Sequence, residues 1–170
     1  MGNQFNIGEY VTYSSNGVCL IKNIEDLSFV GGKKTKYYVL TPNSNSSTVI
    51  YVPAENPDLM SKMRHVLTKS EIDETLSNVD KNEIAWIDNR KDRIEAFQAI
   101  INKGETIELL RLVMCIYNKK QQLLRQGKKI SLTDENFMMQ STSIIESEFS
   151  FVLGIEIPQV KEYIQECLNS

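Results

Sequence analysis

The sequence predicts an α+β chain in two units, a small β-barrel over residues 1–66 followed by an all-α helical bundle over residues 67–170. Three observations carry this. Apolar residues alternate with a period of two through roughly the first 55 positions, which is the rhythm of half-buried strands. After "PAENPDLM" the rhythm lengthens to that of helices, and turn and cap residues fall where it changes.

The strand signals come in order. "EYVTYS" places Tyr10 and Thr12 on one side and Val11 and Tyr13 on the other. "GVCLIKNIE", "KYYVL" and "STVIYVP" are further β-rich runs. Gly31-Gly32, between apolar Phe29-Val30 and the basic run "KKTK", suits a hairpin turn, and "PNSNSS" at 42–47 suits a second. Four or five short strands in so little chain cannot build a large sandwich. Curling into a small, strongly bent barrel is the economical way to remove exposed edges.

The helical signals follow. Thr68 and Glu71 form a capping box ahead of "EIDETLSNV". Asp88 or Asn89 can cap the next helix, with Ile94, Phe97 and Ile101 on its inner face and Gly104 as its stop. A longer helix places Ile107, Leu110, Met114, Tyr117 and Leu124 on one stripe and ends at Gly127. Ser131 or Thr133 starts another, carrying Phe137, Ile144, Ile145, Phe149 and Val152 to Gly154. Phe137 and Met138-Met139 are expected in its core. Pro158 suits the first turn of a last helix. The bundle thus has about five helices.

Composition narrows the function classes. Hydrophobic residues make up 41% and charged residues 24%, values of an ordinary folded domain. No apolar run approaches the roughly 18 residues needed to cross a bilayer. "MGNQFNIGEY" shows no secretory signal, and Asn6 makes Gly2 a poor myristoylation match. Three widely spaced cysteines, Cys19, Cys115 and Cys167, read as reduced thiols in a cytoplasmic protein. His65 is the only histidine and has no Cys or second His at ligand spacing, so no metal site is expected. No nucleotide-binding glycine loop or nucleophile elbow occurs. The expectation is a binding protein without catalytic activity or cofactor.

The net charge of −3 conceals an uneven distribution. Residues 90–129 hold ten Lys/Arg against four Asp/Glu, and residues 130–170 hold one against seven. A polyanion responds to the local field rather than to the total. The only tryptophan, Trp86, stands in "AWIDNRKDR", just ahead of Arg90, Lys91 and Arg93. Two readings of it are open: an anchor of the helical core, or a wedge that touches something negatively charged.

The order of landmarks resembles a known family. "FNIGEYVTYSSNGVCLIKNIE", "KYYVL" and "VIYVPAEN" look like the RNA-polymerase-interacting domain of the CarD family of bacterial transcription regulators, a domain shared with transcription-repair coupling helicases. The likeness runs on through the lone Trp, "NKGETIELLRLVM", "GKKIS" and "FVLGIEIPQVKEYI". The resemblance implies a Tudor-like (SH3-like) barrel that binds the polymerase β subunit, and a helical domain that contacts promoter DNA. The family's Trp enters the minor groove at the upstream edge of the −10 bubble and stabilises the open complex, with one monomer per complex. Carried onto this sequence, the DNA residues are Trp86, Arg90, Lys91 and Arg93. Relatives' polymerase-contacting arginines correspond to Leu27 and Tyr51, so docking here is expected to use strand edges and apolar contact, with Lys36 as a further contact. The rival reading is a protein-only adaptor that binds polymerase without touching DNA, favoured by the acidic stretch 130–170.

Overall fold

The computed structural model describes residues 4–29 and 31–170. Gly2, with its acylation question, and Val30, expected beside the hairpin turn, lie outside the described residues. Strands β1 (Tyr10–Tyr13), β2 (Val18–Leu27), β3 (Thr35–Pro42) and β4 (Ile50–Pro53) follow one another. The one-turn helix α1 (Pro57–Met60) leads into a fifth strand, β5 (Met63–His65). The antiparallel sheet has the order β4-β3-β2-β1-β5. No periodic signal announced β5. Its three residues are too short to show alternation, and it forms by pairing with β1.

The sheet curls around its own core, in which Phe5, Val11, Ile21, Tyr38, Leu40, Val52 and Met63 bring every strand to one cluster. Among the described residues no ladder joins β4 to β5. Side-chain packing brings the ends of this strongly bent sheet together. The predicted alternation on β1 fails, because Val11, Thr12 and Tyr13 are all buried. The cause lies on the other face. Tyr10 packs tilted against Phe151 at 4.6 Å and the Ser147 hydroxyl meets the Val18 N–H at 3.4 Å, so a helix covers much of what would have been the wet side.

That helix belongs to the bundle: α2 (Lys69–Asn78), α3 (Arg90–Lys103), α4 (Thr106–Arg125), α5 (Leu132–Leu153) and α6 (Ile157–Asn169). The caps sit where the residue types place them. Thr68 and Glu71 close a capping box, Asn89 accepts from the Asp92 N–H, and Ser131 accepts from the Asp134 N–H. Two expectations need correction. On α4 the innermost residues are Leu109, Leu112, Cys115 and Ile116, with Leu110, while Tyr117 and Leu124 are about half exposed. Helix α4 is flanked by α2, α3 and α5, so its buried arc is wider than one stripe and periodicity alone does not choose its centre. Phe137 is buried as expected, but Met139 points outward at 62% exposure.

Sheet and bundle meet through a polar knot and two glycines. Arg64 on β5 grips Glu148 on α5 with bonds of 2.7 and 2.9 Å, and Glu148 also accepts from the Thr106 hydroxyl and the Leu67 N–H. At Gly104 (φ 73°) a Cβ would lie 2.5 Å from the Ser14 carbonyl oxygen, and at Gly17 one would meet the Ser147 hydroxyl at 2.8 Å. Gly104→Ala is therefore expected to cost at least about 1 kcal/mol from its left-handed backbone alone, before the clash with Ser14 is added. Urea unfolding checks this. A cost no larger than this backbone share would mean that the two units do not hold this approach in solution.

Candidate nucleic-acid interface

After α2 the chain turns through Asn82 (φ 61°) and runs without regular structure from residue 83 to 88. Ile84 and Trp86, two apart, fall against the bundle core, while Ala85 between them stays exposed. Trp86 is half-buried. Its ring meets Phe97 edge-to-face at 6.0 Å, so part of the indole is anchored, as the core reading expected. The rest lies at the surface beside cations. The core reading thus describes one part of this side chain, and the wedge reading concerns the exposed rest.

Capping by Asn89 makes Arg90 the first residue of α3 and puts Lys91 next to it, both exposed. Arg90 reaches the Thr133 hydroxyl at 3.3 Å and has no carboxylate partner among the described residues. Arg93 departs from its expected place. It is 7% exposed, and its guanidinium binds Asp134 through two bonds of 2.9 and 3.0 Å. It also donates to the carbonyls of Ile87 and Asp88 and lies 4.4 Å from the Trp86 ring centroid. As placed, it offers nothing to a phosphate. The signal for this was in the spacing: Arg93, Phe97 and Ile101 recur every four residues and share the inner stripe.

A residue missed in the sequence takes the outer position. The Lys119 amine, from α4, lies 5.4 Å from the Trp86 ring. Among the described residues it meets no carboxylate, whereas neighbouring Lys120 is paired with Glu135 at 2.7 Å. Nothing in a helix-face pattern links position 119 to position 86. The Asp134 carboxyl is drawn below its ordinary value; burial is the largest single influence and pushes it upward, but the hydrogen bonds from Arg93 and Ser131 and the Arg93 charge outweigh it. It stays ionised, and its charge is spent on Arg93. Asp134 and Glu135 are thus paired in place, while Asp88 and Asp92, beside Arg90 and Lys91, are exposed.

On the sheet, a second cluster is exposed. Phe29 (59% exposed) and Tyr51 (43%) meet edge-to-face at 5.2 Å, and Tyr37 packs against both, at 5.1 and 6.5 Å. Register puts Leu27, across from Thr35, on the same face as Tyr37 and Tyr51. Lys36 faces the other way, with Tyr38, opposite Asp26. Leu27 and Tyr51 therefore share a surface, and Lys36 does not join it. The outer edge of β4 has no strand partner among the described residues.

The described residues thus hold two separate exposed features, a bent sheet with aromatic rings beside an open edge and a bundle with a cation-rimmed indole. Residues 5–65 match the family model of the CarD-like/TRCF RID domain, and the match ends where β5 ends. The front of the chain is thus similar to a domain of this type, over about a third of its length. No curated protein matches it. The bundle lies outside the matched residues. Among the described residues no cluster of His, Cys, Asp or Glu could hold a metal ion, and no helix is long and apolar enough to cross a membrane.

Proposed function

We propose that this protein regulates bacterial transcription by binding the RNA polymerase β subunit through its sheet and promoter DNA, at the upstream edge of the −10 bubble, through its bundle. The observation that carries the DNA half is Trp86 itself, anchored on Phe97, with Lys119 at 5.4 Å and Arg90 and Lys91 exposed on the following turn. A flat aromatic surface at the edge of melted DNA receives an unstacked base, worth roughly 1–3 kcal/mol. An apolar wedge at a base step exchanges stacking for contacts to the distorted duplex. Cations beside it fix the register on phosphates without reading sequence. No catalytic step or cofactor enters this account.

Three cations give a salt slope of only about −3, at roughly −0.9 per phosphate neutralised, so the bundle alone binds weakly. Polymerase supplies location by raising the effective concentration at the promoter. The aromatic face of Phe29, Tyr37 and Tyr51, with Leu27 beside it, is the surface we assign to that contact; aromatic anchors dominate many interfaces. Phe29→Ala with Tyr51→Ala is expected to reduce capture of purified polymerase at least tenfold and leave fork-junction DNA binding unchanged. Full capture by the double variant would move the polymerase contact elsewhere on the sheet. The reading as a whole is tested by open-complex lifetime on a purified promoter. Lengthening by the wild-type chain supports it, while polymerase binding with no change in lifetime and no DNA contact would leave an adaptor.

A further inference from the structure

Arg93 is a cation in the basic segment that cannot face solvent, and its bonds say what it does instead. One guanidinium nitrogen donates to the carbonyls of Ile87 and Asp88, at 2.8 and 3.2 Å, the two residues that follow Trp86. The other two nitrogens hold Asp134, which is 2% exposed and lies in the first turn of α5. Asp134 is held in turn by the Ser131 hydroxyl at 2.5 Å. The guanidinium also lies against the indole at 4.4 Å. One side chain thus joins the irregular segment 83–88, the start of α3 and the start of α5.

We infer that Arg93 and Asp134 form a clamp that positions Trp86, holding the indole in the orientation it needs before DNA arrives. This rests on the reading of Trp86 as the DNA contact. Segment 83–88 has no regular backbone ladder, so without the clamp the ring is held by side-chain packing alone, on Phe97 and through Ile84 on the bundle core. Lysine in place of Arg93 keeps the charge but cannot make the two-pronged bond to Asp134 together with two carbonyl bonds. Arg93 is therefore a positioning residue and does not itself contact DNA.

Trp86 is the only tryptophan, so time-resolved fluorescence anisotropy of the full chain reads its mobility directly. In the wild type the indole is expected to depolarise with the whole molecule. Arg93→Lys and Asp134→Asn are each expected to add a nanosecond local motion, while circular dichroism keeps its helical signal. Fork-DNA affinity should fall about 2- to 10-fold, the cost of ordering one freed side chain on binding. In a Trp86→Ala background, Arg93→Lys should cause no further loss. If either clamp variant fails to fold, Ser131→Ala, which removes only the outer bond to Asp134, is read for the same added motion. Wild-type anisotropy in all folded clamp variants would overturn the clamp alone. Fork affinity indifferent to Trp86→Ala would overturn the DNA reading, and the positioning role with it.

Discussion

Replacing Glu148 by alanine is expected to lower the unfolding free energy by roughly 3–5 kcal/mol, the cost of breaking a buried ion pair by removing one partner. For a chain of this size that corresponds to a fall in Tm of roughly 6–20 °C. Glu148 is 1% exposed and accepts four hydrogen bonds, two from Arg64, one from Thr106 and one from the Leu67 N–H. Removing it takes the Leu67 N–H's partner and, among the described residues, the only carboxylate on Arg64, which keeps bonds to Thr106 and to the carbonyls of His65 and Gly104 at the junction of sheet and bundle. Burial is the largest influence on its carboxyl and pushes its pKa up, yet Arg64, Thr106 and the Leu67 N–H together hold it below the ordinary 4.5. A depressed carboxyl contributes stability above its unfolded pKa and loses it as pH falls through the folded one. The wild type should therefore lose stability steeply below pH 4.5, and Glu148→Gln should flatten that part of the curve. Urea unfolding between pH 6 and 3 measures both. Equal slopes would show that the knot is not formed in solution.

The second large effect belongs to Trp86→Ala. Losing a base-stacking surface worth roughly 1–3 kcal/mol lowers fork-DNA affinity, and shortens the open-complex lifetime, by about 5- to 150-fold. Polymerase capture should stay intact, because the ring lies on the bundle and the matched domain ends at residue 65. A cost in stability is also expected, since part of the ring packs on Phe97. The comparison is therefore made well below the variant's unfolding temperature. A variant that binds fork DNA normally but melts earlier would make Trp86 a core residue only.

How much of this was legible beforehand follows from the range of each interaction. Thr68 with Glu71, Asn89 with Asp92, and Ser131 with Asp134 act over three residues, so their signatures stood in the sequence. Gly104 and Pro158 were readable for the same reason. The strand β5 was not, because its pairing with β1 spans some fifty residues. Nor was the doubly covered face of β1, which depends on Phe151 arriving from α5. At the candidate site, Trp86, Arg90 and Lys91 are neighbours in the chain and were found together. Lys119 and Asp134 reach the indole and its clamp only through the packing of α3, α4 and α5. The inward place of Arg93 is written in its four-residue spacing to Phe97 and Ile101, which local charge does not reveal.

Fluorescence of the single tryptophan, titrated with fork-junction DNA, tests the central claim most directly. The account predicts quenching that saturates, weakens with added salt and fails to develop with fully paired duplex of the same length. Emission from Trp86 that is unmoved by fork DNA at concentrations where the protein is demonstrably folded would contradict it.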